Sequence, residues 1–332
     1  MNPYSESCAF VADDPEYVFV MLDKVRDVAV KIASMNLEMP SWREEIYPKD
    51  DNDFLKFLGV STAICFCFWG RRKKYKKFDT EYPAGSGKIW YGSSAMDACL
   101  TRAFEEGLMK FDPDFLAGFT IEKARKIFIH KTTPLFMLSE RVDCIRNIGE
   151  MMKNRQIDSF KDIFEFCEYE FSDIVSVLAS HFNCFGSDIA EYRGRLIKFY
   201  KRAQLLPMMY HGRAVSSNGR LKPIADPENF GVPADYQLPK ALRNFDILSY
   251  SPELSEIVDE GKLIKKGSPM EVEIRGQTTN VMMTLLEKIN RIKHSKGLKP
   301  ITMAELDYYL YKVAHNPEYQ AIFHHRTLTT AY

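Results

Sequence analysis

The sequence predicts a mostly α-helical globular fold carrying one small β-hairpin or sheet near residues 60–92. Three observations lead there: apolar residues recur at helical spacing along most of the chain, only one early run is both apolar and β-prone, and 45% of the 332 residues are apolar. A chain of this length and composition buries a substantial core without help from disulfides or metals. Val18, Met21, Leu22, Val25, Val28, Ala29 and Ile32 recur at three- and four-residue steps and predict a long amphipathic helix from Pro15 to Ser34. Val60–Trp69 is a continuous apolar run, and Lys88-Ile89-Trp90-Tyr91 is its expected strand partner across a long polar connection. Beyond Ser93 the pattern becomes helical. Ser94 is placed to cap a helix carrying Met96, Cys99, Leu100, Ala103 and Phe104, with Gly107 as its stop. Further helices are expected around residues 120–128, 135–154, 159–183, 194–210, 236–246, 252–261, 271–295 and 302–315. Thr302 with Glu305 gives the last of them a capping box. Residues 211–234 contain Ser216-Ser217-Asn218-Gly219 and Asp226-Pro227-Glu228-Asn229, turn-forming sets that predict a long ordered loop. No repeat and no Pro/Gly/Ser-rich linker divides the chain. One compact domain over 1–332 is expected, with the β element in an N-terminal part (1–110) and helices throughout 111–332.

Lysine plus arginine (45) equals aspartate plus glutamate (45), so no global field draws the chain toward nucleic acid or an anionic membrane. Any basic recognition is local, and Arg71-Arg72-Lys73-Lys74-Tyr75-Lys76-Lys77 is the conspicuous case. As a solvated tip between the two expected strands it is mere surface; as a patch it would hold nucleic acid. The seven cysteines are widely spaced with no C-x-x-C pair, which fits buried small hydrophobes in a reducing compartment better than disulfides or zinc. The N-terminus lacks the basic-then-apolar layout of a signal peptide, and no apolar run approaches the ~18 residues of a membrane span. The expected compartment is the cytosol, with the nucleus open.

Five polar clusters interrupt the apolar helical pattern of the last 140 or so of the 332 residues. They are Phe199–Gln204, Ala234–Pro239, Glu271–Gly276, Leu306–Tyr311 and His324–Thr327. Each has a plain structural explanation. Asp235 precedes a helix with Pro239 in its first turn and suits an N-cap accepting the N–H groups of Gln237 or Leu238. A carboxylate held there is also immobilised, ionised and aimed beyond the helix end. Lys201 and Arg202 suit either a solvated cationic edge or a phosphate site. Arg275 lies four residues after Glu271 and suits an intrahelical ion pair. Asp307 and Tyr311 share a helix face, as an exposed acid near a helix start or as a carboxylate and a stacking ring for a flat heterocycle. His324, His325 and Arg326 sit where chain ends fray, and only docking would make them functional. His130, His181, His211, His294 and His315 show no metal-ligand spacing. No glycine-rich phosphate loop, G-x-S-x-G elbow or C-x-x-C-H occurs, so neither metal nor cofactor is expected.

Taken together, in this order, the clusters resemble the queuosine salvage protein family, the queuosine 5′-phosphate N-glycosylase/hydrolases. The resemblance also takes in Phe66-Cys67-Phe68-Trp69, the Tyr91-Gly92 step into the Ala98–Gly107 helix, and His325-Arg326-Thr327 before Tyr332. It implies a helical fold similar to base-excision DNA glycosylases and release of the base queuine, for reuse in tRNA modification, from its 5′-nucleotide without a cofactor. The partner is then a small nucleotide, and neither a membrane nor nucleic acid is bound directly. The aspartate of the family's A-D-Y-x-L-P motif falls on Asp235, facing the anomeric carbon, and its neighbours Ala234 and Tyr236 fall among the residues that contact the base. Asp307 falls on the acid that reads the base, beside Tyr311. Lys201, Arg275 and His325 are the phosphate candidates. An ionised carboxylate beneath the sugar stabilises an oxocarbenium-like transition state or attacks it. Queuine, a 7-deazaguanine, presents N1–H and an exocyclic amine as adjacent donors that an acceptor-only carboxylate matches. The chain departs from the pattern where Trp42 leads into Arg43-Glu44-Glu45 and where Thr62 and Cys65 replace polar residues. Two alternatives stay open: the same chemistry on another purine nucleotide, and a non-catalytic RNA-binding helical module.

Overall fold

The computed structural model describes residues 3–70, 76–316, 318 and 322–332, without the side chains of Pro3 and Ser5. Its helices are α1 (Pro3–Ala9), α2 (Leu22–Ala33), α3 (Asp51–Ala63), α4 (Gly92–Glu105), α5 (Pro113–Ala117), α6 (Ile121–Ile127), α7 (Leu138–Arg155) and α8 (Phe160–Phe166). They continue with α9 (Phe171–His181), α10 (Asn183–Gly186), α11 (Lys201–Val215), α12 (Gln237–Asn244), α13 (Pro252–Asp259), α14 (Pro269–Ser295) and α15 (Met303–His315). Six short strands, β1 (Val18–Val20), β2 (Asp79–Glu81), β3 (Ile89–Tyr91), β4 (Ile189–Tyr192), β5 (Arg195–Lys198) and β6 (Leu248–Tyr250), pair antiparallel as β1–β6, β2–β3 and β4–β5. The fold is mostly α with small hairpins. One hydrophobic cluster extends from Tyr4 to Tyr332, and a smaller one gathers Cys8, Val11, Tyr192, Ile197, Phe199 and Val272. No helix among the described residues is long and apolar enough to cross a membrane.

Four expectations are corrected here, each by a tertiary contact or a cap. The helix expected from Pro15 begins only at Leu22. The buried Glu273 carboxylate of α14 accepts the N–H groups of Glu16, Tyr17 and Val18 at 3.2, 2.6 and 3.1 Å, and Val18–Val20 then pairs with Leu248–Tyr250. The strand expected over Val60–Trp69 is the buried end of α3 followed by an extended segment. Asp50 starts that helix, accepting from Asn52 and Asp53 at 2.8 and 3.1 Å, and burial on all sides erased its amphipathic period. Ile89–Tyr91 is a strand, but its partner is Asp79–Glu81. The helix expected over 159–183 is broken between α8 and α9, where Glu168 and Tyr169 adopt positive φ and Asp226 accepts the Phe171 N–H at 2.6 Å.

The segment 194–210 is likewise not one helix. Tyr192-Arg193-Gly194-Arg195 is a tight hairpin turn with positive φ at both central residues, which returns the chain as β5 before α11 begins. That helix persists to Val215, well into the loop expected from residue 211. The Thr302–Glu305 capping box is present. Lys201 and Arg202 form no solvated edge, since both are buried and Arg202 donates to the carbonyls of Ala63 and Cys184. All seven cysteines are free, six of them buried and Cys65 half-buried. Most of the basic run, residues 71–75, lies outside the described residues, while Lys77 is described.

Candidate active site

A buried aspartate that no polar cluster signalled, Asp188, sets the architecture around the site. It precedes β4 and accepts the Lys201 N–H at 2.9 Å, and its backbone carbonyl takes the N–H groups of Phe199 and Tyr200, fixing the start of α11. Arg275 of α14 grips it through two bonds of 2.6 and 2.8 Å and lies 3.6 Å from Glu271. Burial alone would lower the Arg275 pKa, but Asp188 and Glu271 hold it above its ordinary value. The same guanidinium donates from Nε to the Ala234 carbonyl at 3.0 Å, anchoring the residue before Asp235. The intrahelical pair is therefore real but secondary to Asp188.

These elements enclose a cavity of about 520 Å³, within the range that suits a nucleotide-sized ligand. Asp235 lines it at the start of α12. Its Oδ1 accepts the Gln237 and Leu238 N–H groups at 2.7 and 3.2 Å, so the capping role holds and Oδ2 is left outside the cap. Tyr236 lines the next stretch of wall, its ring against His324 at 4.7 Å. From α15 come Asp307, Tyr308, Tyr311 and His315, a single helical face turned into the cavity. Burial pushes the Asp307 carboxyl up to about 8, the nearby Asp235 charge adds to that, and Lys201 opposes it. Asp235, Asp307 and Lys201 thus share one electrostatic neighbourhood. The Lys201 Nζ reaches the Cys65 carbonyl at 3.4 Å and lines the cavity.

The other predicted residues stand behind this wall. Ala234 is buried and offers its carbonyl to Arg275 rather than its surface to the cavity. Arg275 and His325 do not line the cavity. His325 docks deep in the fold, its Nε2 3.1 Å from the Tyr332 hydroxyl, and burial pushes its pKa well below the ordinary histidine value. Tyr332 does reach the cavity and donates to Glu271 at 2.9 Å, so the terminal cluster supports the wall.

The N-terminal side of the cavity carries residues that the polar clusters did not signal. Trp42 packs edge-on against Tyr47 and Tyr308, both at 5.8 Å between ring centres. Pro40 passes so close to α11 that a Cβ on Gly212 would sit 2.2 Å from its carbonyl oxygen, which is why glycine stands there. Asp97 of α4 is buried against the cavity and accepts from the Ser61 hydroxyl at 2.5 Å. Burial pushes its carboxyl up to about 7, against hydrogen bonds from Ser61 and Tyr47. An acid inside Ala95-Met96-Asp97-Ala98-Cys99-Leu100 was the available signal. Glu44 and Lys77 stand at the exposed rim.

A family model for the queuosine salvage protein matches residues 46–332. The chain belongs to the queuosine salvage protein family. It is 29% identical over 324 residues to the queuosine 5′-phosphate N-glycosylase/hydrolase of Sphaerobacter thermophilus, with 97% of this chain and 95% of that protein covered. It is 28% identical over 338 residues to the protein of the same name from Bos taurus, with 96% of each covered. With that of Schizosaccharomyces pombe the identity is 26% over 307 residues, covering 88% of this chain and 83% of the other. The queuosine salvage match takes in Asp97, Asp235 and Asp307, whereas Trp42 and Glu44 lie just before it.

Proposed function

We propose that this protein hydrolyses the N-glycosidic bond of queuosine 5′-phosphate and releases queuine, without a cofactor, and that the whole chain works as one catalytic unit. One observation carries the reading: Asp235, which caps α12, and Asp307 of α15 line one cavity of a queuosine salvage protein, with the buried Lys201 beside them. Asp235 is the catalytic group. Its Oδ1 is fixed by the α12 cap, and its Oδ2 faces the anomeric carbon, where it stabilises the positive charge that develops as the base departs. Water completes the hydrolysis at that carbon. Tyr236 and Tyr311 flank the base, and Asp307 accepts its two adjacent donors, which favour the ionised carboxylate once they arrive. Among the phosphate candidates, Lys201 reaches the cavity and is assigned the phosphate, with Lys77 at the rim. Arg275 and His325 position the wall, Arg275 through the Ala234 carbonyl and His325 through Tyr332.

The test is base release from queuosine 5′-phosphate by wild-type protein and by Asp235→Asn, which keeps the size of the side chain. The variant should lose at least ~10²-fold in kcat, equivalent to about 3 kcal/mol in the barrier, because preorganised charge is the main contribution. Undiminished release by the variant would remove Asp235 from the chemistry.

A further inference from the structure

The cavity holds one more buried acid than cleavage of an ordinary purine nucleotide needs. Asp235 serves the sugar and Asp307 the pairing edge of the base, which leaves Asp97, a third acid of the same lining, without a role. Cys65 and Tyr311, which line the cavity with both acids, each feel the charges of Asp97 and of Asp235. Asp97 is 4% exposed and lies on the cavity wall beside Ser61, Tyr47 and Tyr91. Two hydroxyls, from Ser61 of α3 and from Tyr47, donate to this carboxyl. That arrangement steadies a carboxylate but supplies no positive partner. The Lys201 ammonium donates instead to the Cys65 carbonyl, and its charge acts on Asp307.

Queuosine is a 7-deazaguanosine: where guanosine has N7 it has a carbon, C7, that bears a methylene-linked secondary amine protonated at neutral pH. The C7 edge diverges from both the sugar bond and the pairing edge, so a nucleotide seated on Asp235 and Asp307 turns its ammonium toward a third wall. We propose that Asp97 is the specificity residue that receives this ammonium, so that the pocket selects 7-deazaguanines bearing a cationic substituent over neutral ones. Glu44 is the other free acid on that side, but it is exposed at the rim, where water screens an ion pair to little value. A buried carboxylate with two hydroxyl donors is the stronger partner. The inference rests on the reading of the cavity as a site for this nucleotide.

The test compares two free bases binding to the full-length protein by calorimetry: 7-aminomethyl-7-deazaguanine, which carries an ammonium, and 7-cyano-7-deazaguanine, which is neutral. Wild-type protein should prefer the charged base by roughly tenfold or more, as expected for a buried charge-assisted bond. Asp97→Asn should abolish the preference while Asp307→Asn weakens both bases and keeps it. Should Asp97→Asn not fold, Asp97→Ser takes its place. Equal affinity of wild-type protein for the two bases, or a preference that survives substitution of Asp97, would overturn the proposal. A merely structural Asp97 would weaken both bases alike. No cleavage is needed for these measurements, so a protein that keeps the preference but hydrolyses nothing would refute the glycosidase and not this assignment.

Discussion

At Asp307 the environment sets a proton balance that binding must shift. With its carboxyl pushed up to about 8 by burial and by Asp235, the acid is largely protonated in the empty cavity at neutral pH. A base presenting two donors needs it ionised, so binding expels a proton. The affinity for 7-deazaguanine, which lacks the ammonium, should therefore rise with pH and level off above about 8, and calorimetry on Asp307→Asn should show that slope gone. A flat wild-type profile would contradict it. The stability consequence has a definite sign. Because the folded-state pKa lies above the ordinary carboxylate value, ionising Asp307 costs the fold progressively from pH 4 upward, and the penalty is complete above about 8. Asp307→Asn should raise Tm by about 2 °C or more at pH 8 and leave it unchanged at pH 4, a modest figure because the residue is only half-buried. Residues of this kind were unevenly legible. Asp235 and Asp307 announced themselves as acids at helix starts, and the family pattern gave them roles. Asp188, between Ser187 and Glu191, reads as an ordinary polar loop residue, and Asp97 left only the signal of one acid in an apolar run, which has no role until its neighbours in space are known.

Among the elements, helices with local signals were read well and those overruled by distant groups were not. The capping box of α15, the Asp235 cap of α12 and the loop carrying Asp226 all sit within a few residues of the signals that define them. The start of α2 depends on Glu273, more than 250 residues away, and no local pattern reports that. The same carboxylate also accepts the Tyr192 hydroxyl at 2.8 Å, so one fully buried acid ties together the N-terminal strand, the β4–β5 hairpin and α14. Removing it strands three backbone donors and a phenol. Glu273→Ala should lower the unfolding free energy by roughly 3 kcal/mol or more in urea titrations, whereas Glu287→Ala on the exposed face of the same helix should cost under about 0.5 kcal/mol. Comparable losses in the two variants would show that Glu273 is not the tie described.

Across the whole molecule, the site is assembled from sequence positions far apart. Trp42 and Tyr47, Asp97 of α4, Lys201 of α11, Asp235 at α12, Asp307 of α15 and Tyr332 all line one cavity. Sequence order showed the C-terminal polar clusters as a set, but which of them face the ligand and which stand behind it is decided by packing. Arg275 illustrates the difference, since its partner Asp188 lies 87 residues away, just before β4, in a stretch between two expected helices. Behind the wall, Asp188, Arg275, Glu271 and His325 hold Lys201, Ala234 and Tyr332 in place, and Lys201, Asp235 and Tyr332 face the cavity. Cleavage of a queuine nucleotide in this cavity is checked by one assay. Queuosine 5′-phosphate, queuosine and guanosine 5′-phosphate are incubated side by side with the protein, and free base is quantified over time. Queuine should be released fastest from queuosine 5′-phosphate, with slower release from the other two. No release from any of the three, or guanine released as fast as queuine, would contradict it.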